Sequence, residues 1–301
     1  MLSIRHKVAA FLEKTAQVSV EKKPPAAASV LLKQEQGRDL YKTVDGHLFW
    51  LNPGKYLDRE IIERGVFEKS STELVKKIVK KGDVILDVGA NIGYYSVILS
   101  KLAGPQGKVY AFEPTLHYRR ELQENLRENH ITNCEILNYG LSDKRQELLI
   151  NIGDSSATIH WVADTAPVKT ELIKLETLDA FCELKKISRI DFIKIDIDGH
   201  EPHFLQGAWR SLERYNPLIL LEVNHENYLQ ANVTAWDFYT LLKEKGYYIY
   251  SEDALSEITT KREFLIKCGN FAYSANVLLS KEKLILSQES NCQEAVLTGR
   301  I

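Results

Sequence analysis

The chain has 301 residues, 44% hydrophobic and 27% charged, ordinary values for a globular protein able to bury a sizeable core. Its net charge of −2, with Lys and Arg spread along the chain, argues against a nucleic-acid partner, which needs a basic face. The longest apolar run near the start, Val8 to Leu12, is too short for a signal-peptide core, and no stretch approaches the roughly 20 apolar residues that span a bilayer, so a cytoplasmic protein is expected.

In chain order, Ile4, Val8, Phe11 and Leu12 fall at helical spacing, which predicts an amphipathic arm. Residues 21–29, with Pro24 and Pro25, read as a linker. Residues 40–51 read as a β-hairpin, Leu40–Val44 and His47–Leu51 around the turn signal Asp45-Gly46. Helical stretches are expected near 58–64 and 71–80. From Asp83 short apolar runs alternate with helical segments. Strands are predicted at 83–88, 108–112, 134–138, 190–197 and 217–223, and helices near 94–103, 116–129, 200–213 and 234–245. This alternation predicts an α/β fold, a Rossmann-like, doubly wound, mainly parallel sheet, completed by late strands near 246–250 and 271–279. Residues 144–176 break the rhythm with β-rich pieces and read as an inserted hairpin or flap beside the site. The expected organisation is an N-terminal helix/hairpin extension over 1–57, a main domain over 58–280 and a patternless tail over 281–301. Cys134, Cys182, Cys268 and Cys292 form no C-x-x-C pair and are expected to be reduced.

Chemistry concentrates at strand ends. The run Asp87-Val88-Gly89-Ala90-Asn91-Ile92-Gly93 follows the strand Val84–Leu86, and its glycines allow a sharp turn and close approach of a ligand to N–H groups at a helix start. Glu113 ends the next strand, 20 residues beyond Gly93, where an acidic side chain receives ribose hydroxyls. A dinucleotide would call for a glycine in the middle of the loop to admit its pyrophosphate, and Asp87 would repel that group. S-adenosylmethionine has no phosphate and carries an ammonium and a sulfonium, so acidic residues beside the loop suit it. A Gly-rich turn without a ligand and a nicotinamide cofactor are the lesser alternatives. The turn Asn138–Asp143 follows the third strand, with Tyr139 or Leu141 placed to flank an adenine. A surface turn explains it equally well.

The nearly continuous apolar strand Ile190–Ile197 ends in Asp196, Asp198, His200 and Glu201, where doubly wound sheets bind their ligands. Asp196 is the candidate to orient a nucleophile or hold the methionyl ammonium. Asp198 and Glu201 are candidates to orient the substrate, and Glu201 also suits the dipole of a helix start. Glu222 and Asn224 end the adjacent apolar strand and join that set. His200 and His225 are candidate general bases because imidazole titrates near neutrality. No metal is expected; a magnesium site of Asp196, Glu222 and Asn224 is the minor alternative.

Together these motifs resemble the FkbM family of S-adenosylmethionine-dependent methyltransferases over roughly residues 58–280. The resemblance rests on Phe67-Glu68, DVGANIGYYS at 87–96, AFEP at 111–114, NYGLSD at 138–143, TLDAF at 177–181, FIKIDIDGHE at 192–201, LEVN at 221–224 and ANVL at 275–278. It implies a class I methyltransferase fold with donor contacts from Glu68, Asp87, Gly89, Ala90, Asn91, Gly93, Tyr94, Glu113, Pro114, Tyr139, Gly140 and Asp196. Asp198 stands where the family typically has Glu, and His200 where it has a small residue. The implied reaction is O-methylation of a sugar, glycan or other hydroxylated metabolite. N-methylation of a peptide or protein side-chain amide is the alternative, and a non-catalytic cofactor-binding scaffold is the third. The sequence specifies neither the acceptor nor the oligomeric state.

Overall fold

The computed structural model describes residues 28–35, 37–153, 157–158, 169–230, 232–269 and 274–284. The expected N-terminal helical arm and most of the linker, and the tail beyond residue 284, lie outside the described residues.

Strands β1 (Val30–Glu35), β2 (Arg38–Lys42) and β3 (Leu48–Leu51) form a small antiparallel sheet, and helices α1 (Tyr56–Arg64) and α2 (Lys69–Ile78) follow. The hairpin turns at Thr43–His47, with Gly46 at φ 80°. Its second strand buries Phe49 and Leu51. Strand β1 is exposed at every position, so no period-2 burial pattern announced it.

The α/β domain then runs β4 (Val84–Val88), α3 (Tyr94–Ala103), β5 (Lys108–Phe112), α4 (Leu116–Glu128), β6 (Cys134–Leu137) and β7 (Gly140–Leu141). The flap strands β8 (Gln146–Ile152), β9 (Ala157–Thr158) and β10 (Lys169–Glu176) lead to α5 (Leu178–Lys185) and β11 (Phe192–Ile195). Then come α6 (Glu201–Gln206), α7 (Trp209–Tyr215), β12 (Leu218–Val223), α8 (His225–Gln230), α9 (Ala235–Glu244), β13 (Tyr248–Ser251), α10 (Lys261–Cys268) and β14 (Ala275–Ser280). The main sheet has seven strands in the order β13-β14-β12-β11-β4-β5-β6. It is parallel from β12 through β6, and β14 runs antiparallel to both its neighbours. This is the Rossmann-like, mainly parallel sheet that the alternation of elements implies.

The sheet is covered on both faces, which is why its strands are so apolar. Leu86, Val88, Ile193, Ile195 and Leu221 join the core on one face; Ile85, Phe192, Leu220 and Leu278 join the other. The expected helix over 200–213 is two helices. The chain breaks at Gly207, where a Cβ would stand 2.0 Å from the carbonyl oxygen of Ser142, so close packing of the β7 turn interrupts the helix. Helices α5, α8 and α10 were not expected; α5 is capped by Thr177, and α10 starts at a capping box of Thr260 and Glu263. In the 144–176 segment β8 and β10 pair antiparallel and bury Ile150, Ile173 and Leu175.

Candidate active site

The carboxyl ends of β4, β5 and β11 border two adjoining cavities. The first lies against the flap. Its wall is mostly apolar: Val88, Phe112, Pro114, Leu141 and Ile197, with Ile150, Ile173 and Leu175 from the flap. Its polar groups are Asn91, Glu113, Tyr118, Asp196, Asp198 and His200. The second is a larger, open cleft floored by Glu68, Asp87, Lys194, Asp196, Glu222, Glu252 and Asn276. Tyr56, Leu57, Arg64, Phe67 and Lys69 also line it. Gly89, Asn91, Asp196 and Asp198 line both cavities.

The loop after β4 is held from inside. The N–H groups of Gly89 and Ala90 both donate to the Phe112 carbonyl, at 3.1 and 3.0 Å, and that of Gly93 to Ala90. The Asn91 N–H donates to Glu113 Oε2 at 2.9 Å, and the Ile92 N–H to Asn91 Oδ1 at 2.8 Å. These donors are therefore engaged within the protein, while Gly89, Ala90 and Asn91 line the cavities. Gly89, at φ 86°, is required because a Cβ there would lie 1.9 Å from the Asp196 carbonyl oxygen. Gly93, at φ 87°, would collide with Leu122. A loop without open N–H groups offers no phosphate cradle.

Glu113 is fixed by three donors, since Oε1 also accepts from Thr115 N and Oγ1 at 2.9 and 2.7 Å. Burial pushes its carboxyl upward against these bonds. Asp87 is 1% exposed; its Oδ2 accepts from Ser96 Oγ at 2.5 Å, while its buried Oδ1 has no partner in the protein. Burial raises its carboxyl too, with Lys194 pulling the other way.

Lys194 lines the second cavity. Its ammonium is 2.6 Å from Asp196 Oδ2 and 4.5 Å from the centre of the Tyr95 ring. Burial pushes Lys194 down, yet the charges of Asp196, Glu68 and Asp87 outweigh it and hold the ammonium above its ordinary value. Burial pushes Asp196 up, yet Lys194 holds it below the usual range. Glu68 accepts from Tyr95 OH at 2.8 Å and from Asn276 Nδ2 at 3.2 Å, and is raised by burial despite Lys194. Burial and the neighbouring Asp196 push Asp198 up to about 7. Glu222 is raised well above its usual value by burial, then by Asp196, Asp198 and Glu201. Three non-glycine residues of the cleft hold left-handed backbone conformations: Glu68 at φ 44°, Asn91 at 50° and Asp198 at 52°. Such conformations are costly and gather where side chains must be aimed.

The cavities bring together most of the residues singled out in the sequence: Glu68, Asp87, Gly89, Ala90, Asn91, Tyr94, Glu113, Pro114, Gly140, Asp196, Asp198, His200 and Glu222. Others stand outside these linings. Tyr139 packs edge-on against Phe112 at 5.8 Å. Asn224 Oδ1 accepts from Asn227 N at the start of α8. Glu201 Oε1 accepts from Ile197 N, and His225 Nδ1 accepts from Ala235 N at the start of α9. His200 lines the first cavity, bonded through Nε2 to Ser142 Oγ at 2.8 Å, and is not among the residues of the second. The described residues contain no group of three or more His, Cys, Asp or Glu side chains arranged to hold a metal. A cation, Lys194, already sits against Asp196. Lys194, Tyr95, Glu252 and the flap residues were not singled out in the sequence. Lys194 was recoverable by period-2 reading, two positions before Asp196 on the same sheet face.

A Rossmann-like sheet with a mostly apolar cavity at its carboxyl edge, an acidic residue ending its second parallel strand and buried carboxylates beside a closed loop is the arrangement that suits a cationic nucleoside. That is the class of S-adenosylmethionine-dependent methyltransferases. A model of the methyltransferase FkbM domain matches residues 87–249, and the chain belongs to this family. The methyl donor is S-adenosylmethionine. The chain is 29% identical over 180 residues to hexuronic acid methyltransferase AglP of Haloferax volcanii, covering 59% of this chain and 68% of that protein. It is 26% identical over 249 residues to the AMB antimetabolite synthetase AmbE of Pseudomonas aeruginosa, covering 70% of this chain and 11% of the synthetase. The chain thus spans a small part of that protein's length. A crystal structure of the methyltransferase FkbM of Methylobacillus flagellatus aligns with 66% of this chain and 43% of its own, at 18% identity and a TM-score of 0.42. Among the described residues no helix is long and apolar enough to cross a membrane.

Proposed function

We propose that the chain methylates a hydroxyl group of a sugar or glycan, with the adenosine of the donor in the first cavity and the acceptor in the second. The observation that carries this reading is the shared lining by Gly89, Asn91, Asp196 and Asp198, which makes one junction between the two spaces. Bound S-adenosylmethionine supplies an electrophilic methyl group on a sulfonium. Glu113 receives ribose hydroxyls, and the free Oδ1 of Asp87 suits the donor's positive groups. Asp196, kept anionic at the junction, receives the proton of the acceptor hydroxyl. Glu222 and Glu68 accept hydrogen bonds from further hydroxyls and fix the acceptor's orientation, which supplies much of the rate in a bimolecular transfer. Neither histidine is assigned the base: His200 belongs to the first cavity and His225 to a helix start. The hexuronic acid methyltransferase among the relatives favours a sugar acceptor.

The test is an acceptor screen of hexuronic acids, neutral sugars and peptide amides, read by release of S-adenosylhomocysteine and by mass of the product. Methylation at a sugar oxygen is expected. A methylated amide nitrogen would replace this reading with N-methylation. Donor binding without turnover on any acceptor would leave a binding scaffold.

A further inference from the structure

Lys194 is a buried cation among carboxylates, an arrangement with a high desolvation cost unless the partners are fixed. Its side chain is 3% exposed, and that of Asp196 is 25% exposed. Strand register places Lys194 opposite Asp87 across the β4–β11 pair, so both side chains leave the same face of the sheet. Asp196, two residues on, leaves that face too. The Tyr95 ring covers the ammonium from α3. These contacts give Lys194 one position, and they leave it one short bond, to Asp196 Oδ2.

We propose that Lys194 is a positioning residue that fixes the Asp196 carboxylate as an anion aimed into the junction of the two cavities. The inference rests on the reading of Asp196 as the group that receives the acceptor proton. A cation is needed there because Asp196 is taken out of water among other acids: Glu68 before α2, Asp87 on β4, Glu222 on β12, and Asp198 and Glu201 after β11. Without Lys194, burial favours the protonated, inert form of Asp196. Lys194 is not itself the base, because the same acids keep it protonated.

The experiment labels aspartate side chains with ¹³C and follows the Asp196 carboxyl, assigned with Asp196→Asn, through a pH titration of the donor-free protein. In the parent protein it is expected to titrate below the ordinary aspartate range. In Lys194→Met its midpoint should rise by at least about one pH unit, roughly a tenfold change in proton affinity, with Lys194→Arg staying near the parent. Methyl transfer should lose at least about tenfold in kcat in Lys194→Met, with little change in acceptor KM and partial rescue by Lys194→Arg. Its acid limb should move in step with the carboxyl. An unmoved Asp196 midpoint in Lys194→Met overturns the proposal, as does parent-like kcat. If Lys194→Met does not fold, the Lys194→Met/Asp196→Asn double variant decides. Recovery of folding there supports the pairing, and continued failure overturns it by giving Lys194 a role independent of Asp196. The titration needs no acceptor, so a failed acceptor screen and a failed Lys194 assignment are separate results.

Discussion

Asn276, on the closing strand, donates a hydrogen bond to Glu68 at 3.2 Å across 208 residues of chain. The contact ties β14 to the turn that opens α2, and both residues line the second cavity but not the first. Asn276→Ala removes one donor from a buried carboxylate, at a cost of about 1–3 kcal/mol. The expected kinetic result is selective. Acceptor KM should rise about tenfold, roughly 1.4 kcal/mol, while affinity for S-adenosylhomocysteine by calorimetry stays nearly constant. An equal loss in both would place Glu68 against the donor as well as the acceptor.

Glu113 offers four acceptor positions and the protein occupies three, two on Oε1 and one on Oε2. One therefore remains on Oε2 for a ribose hydroxyl. Glu113→Gln places an amide N–H₂ against N–H or O–H donors whichever way it is turned. It should weaken S-adenosylhomocysteine binding by about 1.5–3 kcal/mol, on the order of ten- to a hundredfold. Parent-like affinity by calorimetry would remove Glu113 from donor recognition.

Gly89 is the point where β4 passes Asp196. With φ at 86° and a Cβ position 1.9 Å from the Asp196 carbonyl oxygen, Gly89→Ala must displace that backbone or stay unfolded. The strained conformation alone costs about 1–3 kcal/mol, before the clash. Urea denaturation should show a loss of more than about 3 kcal/mol, with transfer abolished in any folded fraction. A variant of unchanged stability would contradict the packing described here.

The alternation of apolar runs and helical segments made the sheet legible, because strands covered on both faces cannot hide their hydrophobicity. The helix over Tyr94–Ala103 needed nothing beyond its own pattern. Strand β1 was invisible because none of its side chains is buried. The split between α6 and α7 comes from a contact of Gly207 with Ser142, which no local pattern records. In the candidate site, Asp87, Glu113 and Asp196 were legible as polar residues interrupting apolar strand ends. Lys194 was passed over inside a run read as continuously apolar. Its period-2 relation to Asp196, with Ile193 and Ile195 on the opposite face, carried the signal. Glu68, Tyr95 and Asn276 meet only through the fold. Of the two histidines read as candidate bases, His200 lines the first cavity and His225 accepts a bond at the start of α9.

Glu201 supplies a pH signature of the folded state. It is fully buried, and burial pushes its carboxyl from the ordinary 4.5 up to about 8, against the pull of the Ile197 N–H bond. Folded Glu201 therefore keeps its proton where the unfolded chain has lost it. Between about pH 4.5 and 8 the native state binds more protons, so stability contributed by the neutral acid falls as pH rises through that window. The loss levels off above about 8, once both states are ionised. Its total is on the order of a few kcal/mol. Glu201→Gln keeps the shape of the neutral acid without its titration. Thermal melts should show the parent declining from pH 5 to 8, as the linkage requires. The variant should be flatter and the more stable of the two at the upper end. A variant with the same slope as the parent would assign the pH dependence to other groups, Asp198 first among them because its carboxyl is pushed up to about 7.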